Sequence, residues 1–472
     1  MKRFFFCAKF YLLFYFIIFF AIVLYYFLRL EFKSEEIKKS FDIENIIKRG
    51  KIIAILDNNP IDYYIYKGRP MGFQLDMLRK FSEHIKLPLE VIVEGDYNKA
   101  LEMLNTAQCD IIASNFTILK ERKKHFSFTN PIFVTKQVLI QQKRNHNDSL
   151  YIKSVLDLAG KTVTVKTNSS FHSRLVSLSE EIGDTIYIDN DELYTCEELI
   201  KKVSEGEILY TIANEKMARR IASYYTNIDF SLAVSLDQNT AWIIRKNTPY
   251  LENTINIWLN DFLATRFFNA IFYKYYESDK QIEIFKSEFS SFNGNKISVY
   301  DDAIKKYSAV INWDWRLLAS LIYQESKFNN DTVSHRGAFG LLQLMPITAQ
   351  KFDVDTTSPP EDNIRGGCMY IKWLDKQLKS RVRNSDERIK FILAAYNVGL
   401  GHIYDAQALA KKHGKNHEVW DKNVEYYLLN KSKPQYLNDT LVRNGSIKGK
   451  ETCALVKKVM ERFHHYQNLI KE

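Results

Sequence analysis

Between residues 46 and 264 the chain alternates short strand-like runs with amphipathic helical segments. Residues 51–56 and 89–93 are rich in isoleucine, leucine and valine. Residues 71–84, between them, place apolar side chains at the three- and four-residue spacing of a helix. Strands that alternate with helices of this length predict an α/β sheet rather than an all-β or all-helical fold.

The same alternation starts again at residues 157–165, which predicts a second lobe at about residues 138–235. An apolar run at residues 241–244 follows that lobe. We expect this run to bring the chain back to the first sheet, so the predicted fold is a two-lobed α/β domain over residues 46–264.

A different pattern surrounds Glu325. Trp315, Leu318 and Ile322 recur at helical spacing, and the next step of three reaches Glu325 in the last turn. Asn312 is the expected N-cap, with an aspartate in the first turn. A carboxyl group on this apolar face would be desolvated and its pKa raised, as a general acid at neutral pH requires. From spacing alone, a helix-end glutamate that points into water is the favoured interpretation.

Several blocks around and after this glutamate resemble the soluble lytic transglycosylase (SLT) catalytic domain, which has a goose-type lysozyme-like fold. These blocks are Glu325-Ser326, Ser334, GLLQLMP at residues 340–346 and AAYNVG at residues 394–399. The resemblance implies that Glu325 is the catalytic acid. The substrate-binding residues that it implies are Ser334, Gln343, Met345, Tyr396 and Asn397.

The expected reaction depends on how many carboxylates the site holds. Typical glycosidases use two, whereas the motifs here carry one, Glu325. The resemblance implies that Glu325 protonates the bond between MurNAc and GlcNAc and then deprotonates the C6 hydroxyl, which closes a 1,6-anhydro ring without water. Two alternatives remain: a lysozyme-type hydrolase, and a cell-wall ligand sensor whose C-terminal domain binds glycan without cleaving it.

The first module resembles the family 3 extracellular solute-binding proteins of the amino-acid-binding type. The blocks that carry this resemblance are GFQLD at residues 72–76, TILKER at 117–122, FSFTNP at 126–131 and VKTNSS at 165–170. It implies a periplasmic-binding-protein-like fold in which Arg122 binds a ligand carboxylate through its planar fork. Thr117 and Ser169 are expected to add hydrogen bonds.

One position departs from that family. Asn214 stands where the family usually has the aspartate that binds the ligand amine. An amide can form hydrogen bonds but cannot pair with an ammonium ion. A free amino acid is therefore in doubt as the ligand, and a peptide, a cell-wall fragment or no ligand at all stays open.

The N-terminus has the features of a membrane signal. Lys2, Arg3 and Lys9 precede an almost uncharged run at residues 10–28, which is long enough to span a hydrocarbon core of about 30 Å. Basic residues on that side predict that the bulk of the chain lies outside the cytoplasm. We expect an uncleaved anchor at residues 1–30, and domains that face the periplasm of the bacterial envelope.

The 472 residues leave room for several domains. The order of modules resembles that of the membrane-bound lytic murein transglycosylase F family, in which the binding module is thought to regulate the enzyme. The predicted organisation is an anchor (1–30), a linker (31–45), the binding-protein-like domain (46–264), a helical connector (265–298), the mainly α, lysozyme-like catalytic domain (299–430) and a polar, helical C-terminal extension (431–472).

The net charge and the cysteine spacing limit the kinds of partner, metal and cofactor that the chain is expected to bind. The net charge of +10 fits work beside an anionic membrane or cell-wall polymer, and no nucleic-acid-binding motif accompanies it. The five cysteines lack CxxC or Cys/His spacing, so neither a metal nor a cofactor is expected. The expected partners are peptidoglycan strands, a muropeptide or amino-acid-like ligand, and the membrane.

Overall fold

The computed structural model describes residues 41–118, 122–144, 148–167, 169–192, 194–291 and 296–470, together with Tyr25. The predicted anchor at residues 1–30, apart from Tyr25, and most of the predicted linker lie outside the described residues. None of the helices in the described part combines the length and the apolar composition that a membrane crossing needs.

The chain divides into two compact units. The first holds the described residues up to Tyr64 and Met71–Glu283, and the second holds Ile65–Pro70 and the residues from Ile284 onwards.

The first unit contains two mixed β-sheets, as expected for a two-lobed α/β domain. The described strands of the chain are β1 (Ile52–Leu56), β2 (Tyr64–Tyr66), β3 (Arg69–Met71), β4 (Leu89–Val93), β5 (Ile111–Thr117), β6 (Phe126–Phe128), β7 (Phe133–Thr135), β8 (Gln137–Gln142), β9 (Thr162–Lys166), β10 (Tyr187–Asp191), β11 (Thr211–Asn214), β12 (Ile228–Asp229) and β13 (Gln238–Arg245). Strands β2 and β3 pair with each other, and residues Ile65–Pro70 of this pair are assigned to the second unit.

The order of strands shows how the chain passes between the sheets. One sheet has the order β4-β1-β5-β13-β6, with β7 also paired to β13, and the other has the order β10-β9-β11-β8-β12. Strand β13 pairs antiparallel with β5, so the run at residues 241–244 returns to the first sheet as the sequence predicts. Strands β1 and β4 pair in parallel from Ile52 with Leu89 to Leu56 with Val93.

Several helices of the first unit begin at residues whose side chains cap them. The Asp96 side chain accepts from two backbone N–H groups of α3, and Thr195 and Glu198 form a capping box at the start of α6. The helices are α1 (Ile43–Arg49), α2 (Phe73–Ile85), α3 (Tyr97–Asn105), α4 (Arg122–His125), α5 (Ser170–Ile182), α6 (Cys196–Glu205), α7 (Glu215–Ala222), α8 (Pro249–Leu263) and α9 (Arg266–Phe272), with a 3-10 turn at Val155–Leu158 and a π turn at Tyr273–Glu277.

The region predicted as a helical connector (265–298) contains helices between Arg266 and Lys286, and its large apolar side chains do not all share one buried face. Ile271 and Tyr275 are buried, whereas Phe267 is exposed and lies under the Lys80 ammonium group. The Tyr275 hydroxyl donates to Asp76 at 2.7 Å, so this tyrosine belongs to the first unit. Helix α10 (Lys280–Lys286) ends the region and spans the boundary between the two units.

The second unit is mainly helical. Its helices are α11 (Asp301–Val310), α12 (Trp315–Ser326), α13 (Pro346–Gln350), α14 (Pro360–Leu378), α15 (Ser385–Val398), α16 (Leu400–Lys412), α17 (Glu425–Asn430), α18 (Pro434–Leu437) and α19 (Gly449–Leu469), with a π turn at Trp420–Val424. Helix α15 is capped by Asn384, one residue before Ser385, and ends at Gly399 with φ +93°.

The C-terminal helix packs on the helix that carries Glu325. The Ser320 hydroxyl of α12 donates to the Val459 carbonyl of α19 at 2.7 Å, and the Arg316 guanidinium donates to the Ile470 carbonyl at 2.8 Å. Both donors are buried, so these hydrogen bonds replace water that the packed helices exclude. Residues beyond 430 therefore form part of the structure that holds α12.

A buried ion pair fixes the chain before α19. The Lys431 ammonium group donates to the Asp405 carboxylate, and both side chains are almost fully buried. Asp405 also accepts from the backbone N–H groups of Arg443 at 3.1 Å and Asn444 at 3.0 Å. These extra donors satisfy the carboxylate, which is the condition under which a buried pair is tolerated.

Candidate active site

Helix α12 carries Glu325 in its last turn. The Asp314 side chain accepts from the backbone N–H of Arg316 and is the N-cap, so the prediction of Asn312 as the cap is wrong. Asn312 instead has a φ of +54° in the turn that precedes the helix. An aspartate one residue before the helix can reach its free N–H groups, which Asn312 is too far back to do.

The Glu325 carboxyl group is half-buried and stands apart from other charges. It makes no hydrogen bond or ion pair with any of the described residues. Burial raises its pKa from 4.5 to about 7, and burial is the sole cause of this shift. A carboxyl group with this pKa is protonated in a large fraction of molecules at neutral pH and can donate that proton.

Tyr396 lies close to Glu325. Its hydroxyl donates to the Leu342 carbonyl at 2.6 Å. Burial raises the pKa of Tyr396 well above its usual value, and the charge of Glu325 raises it further, so the two groups interact electrostatically. This aromatic ring also packs on the buried cluster of Phe339, Leu344, Ala349 and Val354. Tyr396 thereby joins helix α15 to the loop that follows α12.

That loop, residues 332–345, is held by its own polar side chains. The Gln343 amide donates to the carbonyls of Thr332 at 2.8 Å and Gly340 at 2.9 Å, and its backbone has a φ of +48°. The Ser334 hydroxyl accepts from the backbone N–H of Ala338 at 3.0 Å. In this structure the donors of Gln343 and the Ser334 hydroxyl shape the loop; contact with a substrate stays a prediction.

The two other predicted substrate-binding residues lie at the surface. Met345 is 43% exposed. Asn397 is exposed, and its side-chain oxygen accepts from the Thr452 hydroxyl of α19 at 2.7 Å. Near Met345, an open groove of about 510 Å³ runs along residues 346–356 and is also lined by Phe339, and Glu325 is not among its lining residues.

Asn363 was not singled out by the sequence analysis and fixes the same loop. It is buried on α14, accepts from the backbone N–H of Leu342 at 2.8 Å and donates to the Phe339 carbonyl at 3.2 Å. Gly340, with φ +75°, lies so close that a Cβ there would stand 2.2 Å from the Asn363 amide nitrogen. In the sequence, Asn363 could have been identified as a polar residue next to Ile364 on the apolar face of a helix.

Aromatic side chains continue from Tyr396 towards the surface. The ring centroid of Tyr370 lies 5.3 Å from that of Tyr396, and Trp373 stacks on Tyr370 at 5.9 Å. Trp373 is 45% exposed. Their three-residue spacing on α14 places Tyr370 and Trp373 on one face of this helix.

Three of the four predicted ligand-binding residues of the first unit form hydrogen bonds with other residues of that unit. The Thr117 hydroxyl donates to Gln238 at 3.2 Å, and Ser169 caps helix α5. Asn214 caps helix α7 and accepts from the Thr135 hydroxyl at 2.7 Å. Arg122 is half-buried at the start of α4, and burial lowers its pKa. Of these four, Asn214 lines a cavity of about 60 Å³ in this unit.

Comparison with known proteins covers both units. The Transglycosylase SLT domain matches residues 302–419. The family described as bacterial extracellular solute-binding proteins, family 3, matches residues 51–278.

Similar proteins extend over most of the chain. A protein of Desulfosudis oleivorans, named membrane-bound lytic murein transglycosylase F, is 29% identical over 428 residues, which are 90% of this chain and 91% of that protein. A protein of the same name from Saccharophagus degradans is 28% identical, and the alignment covers 89% of this chain and 83% of that protein. A third, from Aeromonas hydrophila, is 26% identical, and the alignment covers 91% of this chain and 84% of that protein.

Proposed function

We propose that this chain, which carries an SLT domain and a family 3 solute-binding domain and is similar over most of its length to proteins named membrane-bound lytic murein transglycosylase F, cleaves the β-1,4 bond between MurNAc and GlcNAc in peptidoglycan and leaves 1,6-anhydroMurNAc ends. The observation that carries this proposal is the isolated Glu325 carboxyl group, whose pKa burial raises to about 7. One carboxyl group that exchanges its proton within a single turnover suits a transglycosylase better than a two-carboxylate hydrolase.

The proposed reaction has two proton transfers. Protonated Glu325 gives its proton to the glycosidic oxygen, the bond from that oxygen to C1 of MurNAc breaks, and the GlcNAc hydroxyl leaves. The Glu325 carboxylate then takes the proton of the C6 hydroxyl while the C6 oxygen bonds to C1. Glu325 ends the cycle protonated, as it began, and no water is consumed. Ser334, Gln343, Met345, Tyr396 and Asn397 are proposed to shape the site around these sugars.

The mass of the products tests this reaction. Purified sacculi digested with the full-length chain are expected to release muropeptides that carry an anhydro ring. A lysozyme-type hydrolase would release products heavier by one water, and a non-catalytic glycan sensor would release none. Mass spectrometry separates the three outcomes, and either of the last two would refute the proposal.

The dependence of activity on pH follows from the raised pKa of Glu325. The first step needs the protonated acid, so kcat/KM on soluble glycan chains is expected to be level below pH 6 and to fall above pH 7. Beyond about pH 8 the loss should approach tenfold per pH unit. Initial rates between pH 5 and 9, with circular dichroism at each pH to exclude unfolding, check this expectation. A rate that rises throughout this range would contradict it.

We also propose that a ligand bound in the first unit modulates the enzyme, with Arg122, Thr117, Ser169 and Asn214 at its site. The family 3 solute-binding domain supports this proposal, because a two-lobed domain that closes on a ligand is a two-state element. A muropeptide at saturating concentration should change turnover on sacculi by about fivefold or more. Binding measured by calorimetry without any change in turnover would refute modulation.

The proposed location is the bacterial cell envelope, with the N-terminal segment as a membrane anchor and both units in the periplasm. The relatives named membrane-bound support an envelope location. Fractionation of cells tests the anchor, since an integral segment keeps the protein in the membrane pellet after an alkaline wash. Release into the supernatant would contradict the anchor.

A further inference from the structure

Trp373 is a large apolar side chain at the surface of the second unit. It is exposed, whereas Ile371, Leu374 and Leu378 of the same helix, α14, are fully buried. The buried face of α14 is therefore complete without this tryptophan, and packing does not explain its presence. A single exposed aromatic residue is ordinary in a folded protein, so the groups beside Trp373 decide whether it has a function.

A row of aromatic rings connects Trp373 with the surroundings of Glu325. The Trp373 ring stacks on Tyr370, with 15° between the ring planes and 5.9 Å between the centroids. The Tyr370 ring lies 5.3 Å from that of Tyr396, which interacts electrostatically with Glu325. Contiguous apolar surface of this kind marks binding sites, whereas apolar residues that are exposed singly do not. We call Tyr370 and Trp373 the aromatic platform.

The aromatic platform also carries two polar groups that are available to a ligand. The Tyr370 hydroxyl and the Trp373 indole N–H make no hydrogen bond with any residue in the described part of the chain. Tyr370 is half-buried, and burial alone raises the pKa of its hydroxyl, which therefore keeps its proton at neutral pH. This hydroxyl can donate and accept, and the indole can donate.

The platform has the chemistry of a surface that binds sugars. A β-1,4-linked pyranose presents C–H groups on its two faces and hydroxyl or amide groups around its rim. A flat aromatic ring fits the C–H face, and polar groups at the edge of that ring fit the rim. Trp373 lies beyond Tyr370 as seen from Tyr396, so the sugar that it meets is not at the bond beside Glu325 but further along the same strand.

We propose that Tyr370 and Trp373 bind a sugar ring of the glycan strand outside the two sugars that flank the cleaved bond. The Trp373 indole stacks on the face of this ring, and the Tyr370 hydroxyl forms hydrogen bonds with its rim. The inference rests on the proposed function, because it extends the same site along its substrate. The platform adds affinity for the strand and takes part in neither proton transfer.

Initial rates of the full-length chain on long glycan strands freed of their peptides test this role. Trp373→Ala is expected to raise KM about fivefold or more and to leave kcat unchanged. Trp373→Phe keeps a ring at the surface and should retain most of the affinity. A wild-type KM in a folded Trp373→Ala chain, a fall in kcat without a rise in KM, or an equal loss in the two variants would overturn the proposal.

The matched control is Tyr426→Ala. Tyr426 is an aromatic residue of α17 that is 47% exposed, close to the 45% of Trp373, and its ring packs on Tyr427 rather than on the aromatic platform. This substitution should leave KM for long strands unchanged. A rise in KM as large as that of Trp373→Ala would show a general effect of lost surface aromatics and would refute the assignment.

Tryptophan fluorescence locates the strand without turnover. A Glu325→Gln chain is expected to bind strands uncut, and its emission should change when a strand covers Trp373. In the doubly substituted Glu325→Gln, Trp373→Phe chain, calorimetry should still detect binding, but most of the fluorescence change should be lost at the same saturation. A change that persists in full would place the strand away from Trp373 and overturn the proposal.

The products of the wild-type chain separate this inference from the proposed reaction. Release of anhydro products, together with a wild-type KM in Trp373→Ala, refutes the platform alone. If the wild type releases no anhydro products, the reaction is refuted, and strand binding that depends on Trp373 leaves the platform standing.

Discussion

Glu325→Gln is expected to abolish release of anhydro-muropeptides from sacculi while the chain still folds. The amide keeps the size of the side chain but cannot give up a proton or take one back, so both proposed steps fail. Loss of a single general acid costs about 10²–10⁴-fold in rate. Because Glu325 serves as acid and as base, we expect the upper end of that range, measured as anhydro product released per unit time.

Stability should not suffer from this substitution. The folded-state pKa of Glu325, about 7, lies above its ordinary value of 4.5, so the native state loses stability as pH rises through this interval and the carboxylate ionises. Glutamine does not ionise, and at pH 8 the variant should melt no lower than the wild type. Glu361→Gln, an exposed position on α14, is the control. Full activity of a folded Glu325→Gln chain would refute the catalytic assignment.

Gly340→Ala is expected to destabilise the second unit and to lower turnover at least tenfold. The new Cβ would stand 2.2 Å from the Asn363 amide nitrogen, in a residue whose φ is +75°. Such overpacking costs about 1–3 kcal/mol, and left-handed backbone adds about 1–2 kcal/mol for a residue with a side chain. Relief of the clash moves Asn363 or the loop, and with it the Leu342 carbonyl that positions Tyr396 beside Glu325.

Gly337→Ala separates strain from the clash. Gly337 has a similar φ of +82°, but a Cβ there meets no atom within 4 Å. The control should therefore lose about 1–2 kcal/mol of stability and retain most of its activity. Thermal melts and rates on sacculi compare the two variants. Equal behaviour of both would show that contact with Asn363 has no part in positioning the loop.

The sequence predicts the position of Glu325 on its helix because helical spacing is a local property. Its burial depends on packing, which places helix α12 against α19, more than 120 residues further along the chain. The cap was assigned two residues too early, to Asn312 rather than Asp314, because both residue types are good caps and the spacing does not distinguish them.

The motif around Gln343 does not predict which groups its side chain contacts in the folded chain. Its place beside Leu342 and Leu344 marks it as the one polar group of an apolar run, and the resemblance assigns it to the substrate. In the structure its amide donates to two carbonyls of its own loop. Those carbonyls depend on a turn with left-handed residues, and periodicity does not predict such a turn.

The sequence by itself determined two α/β lobes followed by a helical module and placed one acidic residue at the end of an apolar helix. These features follow from spacing and composition along neighbouring residues. Only the tertiary structure decided that Asn363 anchors the loop beside Glu325 and that Tyr370 lies beside Tyr396. These residues meet because packed helices bring distant segments together. The pKa shifts follow from the water that this packing excludes, which no local pattern records.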